Sequence, residues 1–99
     1  MTERMTESWK NELTDNLCRA FVSLNDIESV YAFLEDVASI AEIKSMSQRL
    51  EVARLLSMSK TYPEVSRETG ASTATISRVK KCLDYGRGGY QSVIVQAEK

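Results

Sequence analysis

The segment 61–81 constrains the fold of this chain more than any other, because it carries the start signal of a short helix and the turn that ends it. Thr61 and Glu64 have the spacing of an N-terminal capping box. Pro63 falls in the first turn, where a missing backbone N–H costs nothing. Gly70 follows as a residue that adopts positive φ at low cost. The pattern predicts a short helix that ends at a tight turn.

A second helix is predicted directly after that turn, from about Thr73 to Leu83, with Ser72 as its N-cap. Helical spacing makes the two helices face each other through a shared set of small and apolar residues: Val65, Thr69, Ala71, Ile76 and Val79. This order of helix, glycine-containing turn and helix is typical of the helix-turn-helix, which lays its second helix in the major groove of DNA.

The second helix also has the composition of a DNA-reading helix. Its outward positions are small or polar, which lets a helix enter a groove, and its hydroxyl and cationic side chains can reach base edges and phosphates. The residues predicted to contact DNA are Arg67, Ser72, Thr73, Ala74, Ser77, Arg78, Lys80 and Lys81. The alternative is an ordinary helical hairpin, which would be expected to carry Leu or Phe at several of the Thr and Ser positions.

Charge is divided along the chain in a way that fits this prediction, although the whole chain has a net charge of only −1. Residues 1–43 carry three Lys or Arg against nine Asp or Glu, a net of −6. Residues 44–87 carry nine against four, a net of +5. The basic half coincides with the helix-turn-helix and can meet phosphates, whereas the acidic half is repelled by them. A chance separation of solvated charges is the alternative.

The rest of the chain predicts an all-α protein of a single domain, residues 1–99. Amphipathic helices are expected from about Thr6 to Leu24, after a cap at Asn25, and after a cap at Ser39. Ser47 is the expected cap of a further, separate helix that leads into the helix-turn-helix. The β-rich piece is confined to residues 93–95, at the end of the chain.

Residues 1–46 exceed what a lone helix-turn-helix domain of residues 47–83 requires. They are therefore predicted to be dimerisation helices that bury their aromatic side chains between two chains: Trp9, Phe21, Tyr31 and Phe33. A homodimer would place two recognition helices one DNA turn apart, where they read a palindrome. The alternative is that the first helices wrap only their own domain.

The composition excludes several other classes of protein. With no histidine in the chain and no cysteine cluster, a zinc site is not expected, and the usual acid–base and nucleophile sets of an enzyme are missing, so no enzyme activity is expected. Cys18 and Cys82 are expected to be reduced, partly buried thiols. No run of eighteen apolar residues and no signal peptide is present, so no membrane partner is expected and the predicted location is the cytoplasm.

Residues 84–99 are predicted to form a glycine-rich turn and a tail. The three glycines of Gly86-Arg87-Gly88-Gly89 could cradle a phosphate or DNA backbone through N–H groups, or form a simple turn. No strand precedes them and no helix start follows them, which argues against a nucleotide-binding loop. Residues 91–99 are expected to gain structure only with a partner.

Two stretches of the chain resemble the tryptophan repressor family: SQRLEVARLL at residues 47–56 and ETGASTATISRV at residues 68–79. GASTATISR is the most specific part, and GRGGY at residues 86–90 places the resemblance in the bacterial branch of Trp-repressor-like proteins. The resemblance implies an intertwined, all-helical homodimer that acts as a repressor-like regulator of transcription on operator DNA. The groove-contacting residues that it implies are Ser72, Thr73, Ala74 and Ser77.

The same resemblance implies a small-molecule corepressor held between two arginines. Arg78 and its neighbour Thr75 match one side of that site, and Arg49 is the candidate for the other arginine, with Arg54 as the alternative. Cys82 stands where the family's repressor has a ligand-binding serine, completing the possible effector set of Arg49, Thr75, Arg78 and Cys82.

Two departures from the family pattern argue against tryptophan as the ligand. Val79 stands where the repressor has glycine, and a branched side chain would crowd a tight pocket. Cys82 is a poorer polar partner than serine. No resident cofactor is expected.

A protein-interaction module that uses the same fold without binding DNA is the competing function. Such a module would expose a large apolar patch and would lack DNA affinity at moderate salt.

Overall fold

The structure is a computed structural model that describes residues 8–97, and it is all-helical over that range, which confirms the predicted fold class. The helices are α1 Glu12–Ser23, α2 Ile27–Val37, α3 Ile40–Ser57, α4 Tyr62–Thr69, α5 Thr73–Tyr85 and α6 Gly89–Ala97. They form two compact units that divide between Ser39 and Ile40. Within residues 8–97, no helix is both long enough and apolar enough to cross a bilayer.

Helix α1 begins later than the sequence predicts. Asn11 caps it with a reciprocal box, in which Asn11 Oδ1 accepts from the Thr14 N–H at 3.1 Å and Thr14 Oγ1 accepts from the Asn11 N–H at 2.8 Å. Thr6, the predicted start, lies outside the described residues, but Ser8 to Asn11 are not helical. Trp9 therefore precedes the helix instead of lying on its apolar face, and 65% of its side chain is exposed.

Helix α2 is capped by Asp26, so the predicted cap at Asn25 is wrong by one residue. Asp26 Oδ1 accepts from the Ser29 N–H at 2.7 Å, and this hydrogen bond holds the pKa of Asp26 below its ordinary value. Asn25 and Asp26 both carry a side-chain oxygen that can cap a helix, and only the backbone conformation decides which of the two does so.

The first unit leaves its apolar side chains uncovered. None of the side chains of α1 and α2 is buried. Phe21 and Phe33 contact each other edge to face, with ring centroids 5.2 Å apart. Several large apolar side chains of these helices are exposed: Leu13, Leu17, Val22, Ile27, Tyr31 and Val37.

Helix α3 is one continuous helix, so the separate helix predicted from Ser47 is wrong. The Ser47 hydroxyl donates to the Ile43 carbonyl at 2.8 Å, as serine does inside a helix. No glycine or proline interrupts residues 40–57, and one long helix keeps all of their backbone hydrogen bonds. The predicted boundary between residues 46 and 47 falls within α3.

The helix-turn-helix formed by α4 and α5 matches its prediction closely. The Thr61 N–H donates to Glu64 Oε1 at 2.8 Å, and the Glu64 N–H donates to Thr61 Oγ1 at 3.3 Å, which confirms the capping box. Gly70 has φ +76°, and the Ser72 hydroxyl accepts from the Thr75 N–H at 3.2 Å. Helix α5 extends two residues beyond Leu83, the predicted end.

The core of the second unit is built by α3, α4, α5 and α6. Its buried residues are Val52, Ala53, Leu55, Val65, Ala71, Ile76, Val79 and Ile94. Four of them were predicted to lie between α4 and α5, which confirms that prediction. The fifth predicted residue, Thr69, is half-buried, and its hydroxyl donates to the Val65 carbonyl at 2.7 Å and accepts from the Ala71 N–H at 3.1 Å.

The predicted unstructured tail is instead helix α6, which packs against α3 and α5. Gly88 has φ +81°, and the helix starts at the next residue, so the prediction that no helix follows the glycines is wrong. Tyr90 and Ile94 lie four residues apart on one helical face and join the core. Their burial outweighs the β-propensity of residues 93–95.

Replacement of Gly70 by alanine should destabilise the fold by about 1 kcal/mol, because an L-residue is strained at φ +76° although the space around the new Cβ is open. Gly89→Ala is the matched control. Its Cβ also meets open space, but its φ is not positive, so stability should stay equal or rise by up to about 1 kcal/mol. Urea unfolding at one protein concentration measures the free energy of unfolding of both variants. Equal changes in the two variants would contradict the positive φ of Gly70.

Truncation of Ile94 to alanine should cost about 2–4 kcal/mol, because its side chain is 8% exposed in the core. Val93→Ala, on the adjacent residue with 50% exposure, should change stability by less than about 0.5 kcal/mol. If thermal and urea unfolding gave the same small change for both variants, α6 would not be packed on the second unit.

Candidate functional site

Helix α5 has one face in the core and the opposite face in solvent. Ile76 and Val79 are 1% and 2% exposed, and they anchor the helix to its own unit. Ala74 and Ser77 lie on the opposite side, and both are exposed, as is Thr73 in the first turn of the helix. These three residues have small side chains, so the major groove of DNA could lie close to the helix backbone there.

All eight residues predicted to contact DNA are exposed: Arg67, Ser72, Thr73, Ala74, Ser77, Arg78, Lys80 and Lys81. Arg67 lies in the last turn of α4, and the other seven lie on α5 or at its cap. The first turn of α5 contains no acidic residue, so nothing there neutralises the partial positive charge of the helix N-terminus.

One of the basic side chains on this face has an acidic partner. Lys80 Nζ lies 3.2 Å from Asp84 Oδ1, one turn further along α5, and both side chains are nearly half exposed. Lys81 forms no ion pair within residues 8–97. Of the two adjacent lysines, Lys81 is thus the one whose full charge faces solvent.

The residues predicted to bind an effector lie around one cleft of about 390 Å³ between α3, α5 and α6. All four of them line it: Arg49, Thr75, Arg78 and Cys82. The spacing of Thr75, Arg78 and Cys82 places them on one side of α5, next to its buried face. Arg78 thus belongs both to the exposed part of α5 and to this cleft.

The alternative arginine, Arg54, lies elsewhere. Its guanidinium donates to both carboxylate oxygens of Glu51, at 2.9 and 2.7 Å, and it does not line the cleft. These hydrogen bonds hold the pKa of Glu51 below its ordinary value. Arg49 therefore lines the same cleft as Arg78, whereas Arg54 forms an ion pair with Glu51.

Val79 has its side chain in the hydrophobic core and is not among the residues that line the cleft. Cys18 and Cys82 are free thiols, as expected, but both are exposed rather than partly buried. Within the described part of the chain, no group of three or more His, Cys, Asp or Glu could hold a metal ion.

Three lining residues were missed by the sequence analysis: Ser45, Gln48 and Tyr90. Ser45 and Gln48 precede Arg49 at helical spacing, a signal that was obscured by the helix break expected at Ser47. The Gln48 side-chain amide donates to the Thr69 carbonyl at 3.1 Å and ties α3 to the end of α4. Tyr90 could not be placed at the cleft without the fold of α6.

Known proteins resemble this chain over most of its length. The family profile of the Trp repressor protein matches residues 12–98. The protein YerC of Bacillus subtilis (strain 168), described as uncharacterised, is 51% identical over 80 residues, which are 81% of this chain and 77% of that protein.

Two solved structures share the fold. A candidate Trp repressor from Staphylococcus aureus is 38% identical, with a TM-score of 0.88, over 93% of this chain and 92% of that one. A TrpR-like protein from Eubacterium eligens ATCC 27750 is 44% identical, with a TM-score of 0.88, over 93% of this chain and 95% of that one.

Proposed function

This chain belongs to the Trp repressor family, and we propose that it is a sequence-specific DNA-binding regulator of transcription that acts as a repressor-like homodimer. The observation that carries the proposal is the division of α5, in which Ile76 and Val79 are buried whereas Ala74 and Ser77, on the opposite side, and Thr73, in the first turn, are exposed. Regulation of a bacterial chromosome would place the protein in the cytoplasm.

The exposed face of α5 can divide its work between bases and phosphates. The hydroxyls of Thr73 and Ser77 are short donors and acceptors suited to base edges in the major groove. Arg67 and Lys81 are suited to phosphates, which supply most of the affinity and make it depend on salt. Lys80 would contribute less charge, since Asp84 lies beside it.

A homodimer explains the first unit. Its two helices leave Leu13, Ile27 and Tyr31 in solvent, at 78%, 73% and 57% exposure. Burial of apolar surface of this extent would stabilise the protein. A second copy of the same chain carries the same apolar surface, and a two-fold dimer would pair the two. The symmetric pair would present two α5 helices to two half-sites.

The exposed apolar surface also supports a second candidate function, a module that binds another protein and not DNA. The two functions differ in a simple property. The regulator retains DNA affinity at moderate salt, whereas the module would not.

Selection of bound fragments from a random duplex library, at about 150 mM salt, tests the proposed function. The expected product is a palindrome whose half-sites lie about one helical turn apart. Enrichment of a single unpaired half-site would contradict the dimer, and a library without any enrichment would favour the protein-interaction module.

Substitution of Ser77 by alanine should relax sequence preference at one half-site position by about 1–3 kcal/mol, because it removes a base contact. Lys81→Gln should instead weaken binding to all sequences and make the dependence of log K on log salt shallower by about one unit. Titrations of the selected and a scrambled duplex at several salt concentrations measure both changes.

The matched control for this pair is Lys44→Gln, a charge removal on α3 that should leave sequence preference intact. If Ser77→Ala and Lys81→Gln lowered specific and scrambled binding by the same factor, the assignment of base and phosphate contacts on α5 would be wrong.

Replacement of Ile27 by glutamate should weaken the dimer at least tenfold, because it places an unpaired charge in the apolar interface. Glu28→Gln, on the neighbouring exposed position, is the control and should leave association unchanged. Sedimentation equilibrium measures the association constant, and circular dichroism checks that both variants stay helical. A wild-type chain that sediments as a monomer at all concentrations would exclude the homodimer.

A further inference from the structure

The turn between α4 and α5 is held by side chains on both sides of Gly70. The Thr69 hydroxyl accepts from the Ala71 N–H at 3.1 Å, and the Ser66 hydroxyl donates to the Ala71 carbonyl at 3.0 Å. Both polar backbone groups of Ala71 are therefore bonded to side chains of α4. The Gly70 N–H donates to the Ser66 carbonyl at 2.8 Å, where α4 ends. These bonds restrict a turn that glycine alone would leave flexible.

A third side chain connects this turn to α3. The Gln48 amide donates to the Thr69 carbonyl at 3.1 Å in a partly buried position. Carbonyl groups at the end of a helix have no partner within that helix, and a buried one without a partner is costly. Gln48 precedes the fully buried Val52 by one turn of α3, so its amide reaches the turn from a helix that is anchored in the core.

We infer that Gln48, Ser66 and Thr69 are positioning residues for the recognition of DNA sequence. Together with the backbone of Ala71, their side chains form a turn network that fixes the angle at which α5 leaves the turn. They act through α5 and contact no base themselves. This role rests on the proposed function, because it concerns the same DNA-binding face.

Contacts between α5 and the bases tolerate little error in that angle. Ser77 lies six residues beyond Ala71. This separation is about 9 Å along a helix. A rotation of about 10° at the turn would therefore displace Ser77 by about 1.6 Å, which is enough to break a hydrogen bond to a base edge.

Contacts with phosphates are less sensitive to the same rotation. Lys81 has a long, flexible side chain, and the attraction between two charges falls only gradually with distance. Arg67 lies on α4, before the turn, and does not move with α5. Loss of the turn network should thus lower the affinity for the specific sequence and leave the salt dependence of binding in place.

Thr69→Val and Thr69→Ser separate the hydroxyl of Thr69 from its shape. Valine keeps the branched shape without the hydroxyl, so the ratio of affinities for the selected and a scrambled duplex should fall at least about fivefold, the equivalent of one base contact. Serine keeps the hydroxyl and should leave that ratio within about twofold of wild type. Titrations at several salt concentrations measure the ratio and the salt slope, and the slope should not change in either variant.

Two further substitutions test the other members of the turn network. Gln48→Met removes the amide with little change in length, and Ser66→Ala removes the hydroxyl that donates to Ala71. Each should lower the affinity ratio at least about threefold. Ser47→Ala is the matched control, because the Ser47 hydroxyl donates to a carbonyl of its own helix, that of Ile43, and this variant should leave the ratio unchanged.

Amide hydrogen exchange observes the turn directly and without DNA. In Thr69→Val the Ala71 N–H loses its acceptor, so it should exchange at least about tenfold faster than in wild type. The amides of Val52 and Leu55, in the core, should change only as much as the free energy of unfolding does. Thr69→Ser should keep the slow exchange of Ala71.

An unchanged affinity ratio in Thr69→Val and Gln48→Met, with a wild-type chain that does select DNA, would overturn the positioning role and leave the proposed function standing. The role is also overturned if Ala71 in Thr69→Val exchanges in step with the core amides, because the network would then contribute only to stability. A wild-type chain that selects no sequence would refute the proposed function, and the role in reading DNA with it, whatever the exchange rates.

Discussion

The packing of Ile76 and Val79 into the core of the second unit is the interaction on which the rest of the structure depends. These two side chains fix the rotation of α5 about its own axis. The direction of every other side chain on that helix then follows, because successive side chains on a helix are separated by a fixed angle. Thr73, Ala74 and Ser77 consequently face solvent, and Thr75, Arg78 and Cys82 border the cleft.

Helix α6 has a comparable effect within the same unit. By burying Ile94 and packing Tyr90 against the core, it supplies a wall to the cleft between α3, α5 and α6. A stabilising contact and a candidate ligand site thus arise from one helical face. The glycines before α6 allow the chain to reverse, since Gly88 has φ +81°.

The parts of the fold that could be predicted are those with a local physical cause. The capping box of Thr61 and Glu64, the positive φ of Gly70 and the Ser72 cap each depend on residues a few positions apart. The errors at Asn25 and Ser47 are also local, because neighbouring polar residues compete for the same cap and serine is tolerated inside helices.

The sequence by itself determined the helical class, the helix-turn-helix and which residues of α5 point away from its apolar side, because these follow from periodicity and capping within about ten residues. Only the tertiary structure decided that residues 89–97 form a helix and that Arg49, and not Arg54, lines the same cleft as Arg78. Each of these depends on contacts between segments far apart in the chain. The free energy of burying Ile94 against distant partners does not exist until those partners are assembled.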